Sequence, residues 1–97
     1  MPDYVRVANF EGDEAALDAI IQEISSSEGP PEGVPGKRIL VLANREEGQI
    51  VIVVRFGSKE DLETGSATLD GMSPPDDSGM RRVSVDKFEV VLERDAP

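Results

Sequence analysis

The chain has 97 residues, no cysteine and no histidine, and its twenty acidic against ten basic side chains leave a formal net charge of −10. That length supports one core, and a chain of this size buries only roughly two thirds of its unfolded surface, so burial against a second copy would add materially to its stability. Without thiols and imidazoles there are no disulfides and none of the usual zinc, copper or haem ligands, and the negative charge repels a phosphate backbone; neither a metal or other cofactor nor a nucleic-acid partner is expected.

The opening segment MPDYVRVANF carries an acidic residue at once and no apolar run of signal or membrane length, which predicts a cytoplasmic chain with no membrane partner. Tyr4 to Phe10 alternates Val5, Val7 and Asn9 against Tyr4, Arg6, Ala8 and Phe10, a first strand. Glu11-Gly12 breaks it, and Asp13 can cap a helix by accepting from the free amides of its first turn. Leu17, Ile20, Ile21 and Ile24 then form one apolar stripe of that helix. Ser25 to Ser27 ends it, and Ser27 to Gly36 (SEGPPEGVPG) is a proline- and glycine-rich loop whose Pro30-Pro31 lacks the P-x-x-P spacing of a proline-recognition ligand.

Lys37 to Phe56, KRILVLANREEGQIVIVVRF, is two branched apolar runs about a charged turn that ends in glycine, a β-hairpin. Arg45 to Gln49 suits a three-residue loop, a type I turn at Glu46-Glu47 followed by Gly48 in the left-handed region. This register sets Leu40, Leu42, Asn44, Ile50, Ile52, Val54 and Phe56 on one face and Ile39, Val41, Ala43, Val51, Val53 and Arg55 on the other. Both faces are apolar, whereas a hairpin with one solvated face would alternate apolar with polar, so both need covers. The Leu/Ile/Phe56 face is assigned to the helices and the smaller Val/Ala/Arg55 face to a second copy of the sheet.

Ser58-Lys59-Glu60-Asp61 matches a capping box and opens a second helix with a thinner apolar stripe of Leu62, Leu69 and Met72. Gly65 within it marks either a close approach of its backbone or a break. Ser73 to Gly79 stops the helix, and Arg81 to Leu92 is a fourth strand. Val83 and Val85 follow one parity and Phe88, Val90 and Leu92 the other, which predicts a bulge near Asp86-Lys87. The order is strand, helix, strand, strand, helix, strand: an α+β, ferredoxin-like βαββαβ domain spanning 1–97, with an ordered core over about 3–92, a tail at 93–97, a four-stranded antiparallel sheet and two helices on one face. The other face would meet its twin about 10 Å away across a twofold axis, making a homodimer.

Over residues 3 to 92, this element order, the hairpin VLANREEGQIVIVVRF and the turn-helix FGSKEDLETGSATLDGM resemble the dimeric α+β barrel superfamily, in particular the small proteins grouped with the antibiotic-biosynthesis monooxygenases. The resemblance implies a homodimer in which each protomer holds a small-molecule cavity between its helices and sheet. Some members oxidise aromatic polyketides without a cofactor and others degrade haem. The chain departs from both patterns: Phe56 stands where the family often has a tryptophan, and no histidine is available for iron. Asn9 falls near the position of an asparagine found in some of the haem-degrading relatives.

Apart from the resemblance, the polar residues in or beside strands are Tyr4, Arg6, Asn9, Asn44, Arg55 and Ser84. Asn9 and Asn44, with Phe56 as an apolar wall, are the first candidates to line a cavity. Asn9 also suits local strand-end bonding and Asn44 suits the turn beside it. Arg55, set among Val51 and Val53, must reach solvent, a carboxylate such as Asp86 or Glu89 across the dimer, or an anionic ligand. No catalytic residue is assigned: a Ser-His-Asp triad is excluded, and Ser84-Val85-Asp86-Lys87 reads S-x-x-K, but residues three apart on a strand point to opposite faces. Three readings follow: a dimeric binder of a small organic ligand, a cofactor-independent oxygenase acting on an aromatic or polyketide-like substrate, and a structural or partner-binding module.

Overall fold

Two local caps decide where the helices begin. Asp13 accepts from the Ala16 amide at 2.8 Å and Ser58 from the Asp61 amide at 3.1 Å, so each satisfies a first-turn N–H that has no partner within its helix. In the computed structural model, which describes residues 2–26, 33–71 and 79–95, the elements run β1 (Tyr4–Gly12), α1 (Glu14–Ser25), β2 (Gly36–Asn44), β3 (Gln49–Phe56), α2 (Lys59–Asp70) and β4 (Met80–Glu89). Pro30-Pro31, Met72 and the Ser73 to Ser78 part of the expected helix stop lie outside the described residues. The sheet order is β2-β3-β1-β4 with every pair antiparallel, the βαββαβ ferredoxin-like arrangement expected from the element order.

Both helices cover the face of β3 that carries Ile50, Val54 and Phe56. Ala16 and Leu17 of α1 pack with Ile50 and Met80, flanked by Phe10 and Val41. Leu62 of α2 packs with Val34, Val54 and Phe56, flanked by Tyr4, Ile39 and Ile52. Gly65 lets α2 lie directly on β3: a Cβ there would stand 2.4 Å from Phe56 Cε1, so of the two meanings open for this glycine, close approach holds, and the helix runs through it unbroken.

The assignment of β3 to the helices holds, but that of β2 is reversed. Gly48 takes the expected left-handed conformation, φ 64°, yet Asn44, not Arg45, pairs with Gln49, so the connection is one residue longer than a three-residue loop. A shift of one residue exchanges the faces of a strand. Ile39, Val41 and Ala43 therefore sit opposite Val54, Ile52 and Ile50 under the helices, and Leu40 and Leu42 sit opposite Val53 and Val51 on the open face. The longer turn is held by Asn44 Oδ1, which accepts from the Glu47 amide at 3.3 Å, and by the Gly48 carbonyl, which accepts from the Gly12 amide at 2.9 Å.

Two expectations for β4 also change. The register shift against β1 falls between Asn9 and Phe10, opposite Arg82 and Ser84, and leaves Val83 unpaired; no shift occurs at Asp86-Lys87. The change of parity after Val85 needs no bulge, because both faces of this sheet are apolar. Val85 lies on the helix side beside Ala8, and Phe88 on the open side beside Val5. The strand also stops at Glu89 rather than Leu92, since its partner β1 begins at Tyr4; the Val90 amide makes a last bond to the Asp3 carbonyl at 2.8 Å.

On the open face the half-buried Val5, Val7, Val51 and Val53 adjoin Leu40, Leu42 and Phe88, each about half exposed in the single chain. Among the described residues no helix is long and apolar enough to cross a membrane, and no group of three or more acidic residues could hold a metal ion.

Candidate functional site

Arg6 is the polar residue that sequence reasoning noted and passed over. It shares the helix-facing parity of Ala8 on β1, and only 4% of it is exposed. Ser66 and Asp70, four residues apart, lie on one side of α2 and meet it from above. Arg6 Nε donates to Ser66 Oγ at 3.3 Å and Nη2 donates to Asp70 Oδ1 at 2.8 Å; Arg82 Nη1 donates to the same carboxylate oxygen at 3.4 Å. Burying a guanidinium without partners is costly, so these contacts fix how α2 sits over β1. Asp70 closes α2 at the negative end of its dipole, with no basic residue in the last turn, and the two arginines from the sheet offset that repulsion. The sequence signal for this group was a charge on the apolar side of β1.

The four residues proposed from the sequence are not gathered in one place. Phe56 is fully buried on the helix side, packed against Val34, Val54, Leu62 and Gly65. Asn9 is on the open face, where Nδ2 donates to Ser84 Oγ at 3.0 Å. Ser84 thus faces away from Lys87, whose backbone lies opposite Arg6. Asn44 is exposed at the hairpin turn.

Arg55 is also on the open face, and within the single chain it meets two carboxylates, Asp3 and Glu93. Nε donates to Asp3 Oδ2 at 2.6 Å, and the two terminal nitrogens donate to the Glu93 oxygens at 2.8 and 2.6 Å. With Pro2 and Val90 to Leu92 these residues line an open groove of about 290 Å³. Tyr4, the remaining polar strand residue, packs on the helix side and its hydroxyl donates to Glu89 at 3.4 Å.

The Arg55 fork holds the Glu93 carboxyl below its usual range, and Arg55, then Lys37, do the same for Asp3. A depressed folded-state pKa contributes stability that is present above the unfolded value, about 4 for these groups, and is lost as pH falls through the folded value. Acidification below about pH 4 is therefore expected to release both chain ends from β3. Amide exchange at Val90 should accelerate there, and Arg55→Met should show the faster rate already at neutral pH. An unchanged Val90 rate in the variant would mean that the fork does not hold the ends.

No family model and no curated protein matches the chain. Among solved structures, its fold is matched by a crystal structure of an MhuD variant with two manganese protoporphyrin IX molecules bound per active site, at a TM-score of 0.69 and 19% identity, over 96% of this chain and 99% of that one. At that identity the likeness shows the fold, and the resemblance drawn from the hairpin and the turn-helix is met at that level.

Proposed function

We propose that this chain, sharing the βαββαβ fold of a porphyrin-binding protein, forms a homodimer through the open face of its sheet and binds a small organic molecule between sheet and helices. The observation that carries the reading is the apolar open face, with Leu40, Leu42 and Phe88 at 48 to 53% exposure around four half-buried valines. Fully burying a side chain of this size stabilises by about 1.5–3 kcal/mol relative to leaving it exposed, so covering several is a substantial gain for a small domain. A second copy is the occupant we favour: two chains of charge −10 repel, and a face whose centre is uncharged is where they meet at least electrostatic cost. The ligand half of the reading is supported by the fold neighbour's bound organic molecules and by the polar atoms of Arg6 and Ser66 in the layer between α2 and the sheet.

A porphyrin does not suit these residues. The chain has no histidine or cysteine to hold iron, and α2 rests on Phe56 at Gly65, which closes the layer there. The ligand we expect is smaller and metal-free.

Native mass spectrometry of the purified protein tests the proposal. The expected species has twice the 10.5 kDa chain mass and carries a small organic adduct. A monomer at micromolar concentration would overturn the dimer, and an adduct-free dimer that takes up no small aromatic compound would leave the structural-module reading. Oxygen consumption with electron-rich phenols above background would favour the oxygenase reading.

A further inference from the structure

The open face carries few charges, and most of them are paired within the chain: Arg55 with Asp3 and Glu93, and Glu11 with Arg81. Two are left over. Arg38 of β2 and Asp86 of β4 share the open-face parity of Leu40 and Phe88, both are exposed, and neither side chain makes a hydrogen bond or ion pair among the described residues. Arg38 attracts Glu93 at longer range, but both oxygens of that carboxylate are taken by Arg55. The two leftover charges are of opposite sign and stand on opposite edge strands of the β2-β3-β1-β4 sheet. Three strand spacings separate them by about 14 Å across the sheet, too far to meet within one chain. Along the strands they are close: Arg38 lies in the cross-strand row of Arg55, Val5 and Phe88, and Asp86 in the next row, with Leu40, Val53 and Val7.

We infer that Arg38 of each chain pairs with Asp86 of a second copy across the open face, and that these two ion pairs fix the direction in which the sheets stack. This rests on the dimer reading above and adds which edge of one copy lies on which edge of the other. A twofold interface is reciprocal, so a contact of Arg38 with Asp86 in one direction recurs in the other. When the axis lies between the sheets and runs near the strand direction, β2 of each copy covers β4 of the other, and each leftover cation comes over a leftover anion. An axis running across the strands would lay each edge strand on its own counterpart and leave all these charges unpaired. The offset of one row, about 7 Å, is spanned by the long side chain of arginine. At the rim of an apolar interface such pairs contribute more to orientation and partner choice than to affinity, whereas like charges brought together there are strongly unfavourable.

Sedimentation equilibrium at one salt concentration gives the dimer dissociation constant of the unaltered protein and its variants, with circular dichroism to confirm the fold. Asp86→Arg is expected to raise the constant at least about tenfold, since it sets two arginines against each other at both ends of the interface. The direction is diagnostic: this change makes an acidic chain less negative, so whole-chain repulsion alone would tighten the dimer. Arg38→Asp should weaken it by a similar factor, and more than Lys59→Asp, which removes an exposed cation on α2 and alters the net charge equally. Arg38→Asp and Asp86→Arg together, with the net charge unchanged, should return the constant to within about threefold of the original, the coupling expected of residues in contact. A dimer as tight or tighter in Asp86→Arg, or no recovery in the double variant, overturns the ion pairs and leaves the dimer standing. An unaltered protein that sediments as a monomer overturns both. Should Asp86→Arg not fold, Asp86→Asn takes its place with a severalfold weakening expected, and an unchanged constant there overturns the inference by itself.

Discussion

Phe56→Ala is expected to cost about 3–5 kcal/mol of stability, near the top of the range for core truncations. The ring is fully buried between β3 and α2, and the residue directly above it is Gly65, which has no side chain to reach into the space the ring would leave. The neighbours Val54 and Leu62 are 1% and 3% exposed and belong to the packed elements themselves, so the hole cannot close without moving the helix. Cavities that cannot collapse carry the largest penalties, and a domain of this size has only about 5–15 kcal/mol in hand. Denaturant unfolding at fixed protein concentration measures the loss. A change below about 1 kcal/mol would show that α2 is free to settle and that the contact at Gly65 does not hold the two layers apart.

Val53→Asp is expected to yield a folded monomer. Val53 is half-buried on the open face, so in a single chain the introduced carboxylate would remain in contact with water; in the proposed dimer it would be sealed in an apolar interface without a partner, at a cost of several kcal/mol. Its neighbour supplies the contrast. Val54, 1% exposed on the helix side, should not tolerate the same change, and Val54→Asp should lose the fold altogether. Leu42→Asp reports on the register: paired with Val51 on the open face it should give a folded monomer, whereas a position under the helices would make it unfold. Sedimentation gives the mass and circular dichroism the fold. For the unaltered protein the proposed dimer should tighten as salt is added, because screening relieves repulsion between two chains of charge −10. A stable dimer of Val53→Asp would mean that the open face is not the interface.

The parts of the molecule that were legible in the sequence are those fixed by short-range chemistry. Asp13 and Ser58 cap the helices they precede because a short polar side chain reaches amides three residues on. Gly48 turns the hairpin because a left-handed residue was needed beside Glu46-Glu47. The stripe of α1 and the order of six elements gave the ferredoxin-like fold. Of the candidate site, Arg55 had solvent, a carboxylate or an anionic ligand open to it from the sequence, and its contacts with Asp3 and Glu93, far off along the chain, could not be read from spacing.

What sequence by itself determined here is the set of elements, their ends where a cap or glycine marks them, and a surplus of apolar side chains on the hairpin. What only tertiary structure decided is which side chains face which layer. A one-residue slip is detectable when one face is polar; with Ile39 and Val41 as apolar as Leu40 and Leu42, pattern could not choose, and the extra turn residue and the packing against α1 and α2 chose instead. The same holds for Arg6, whose partners Ser66 and Asp70 stand 60 and 64 residues away: only when α2 settles on β1 does a strand arginine become a buried, paired cation.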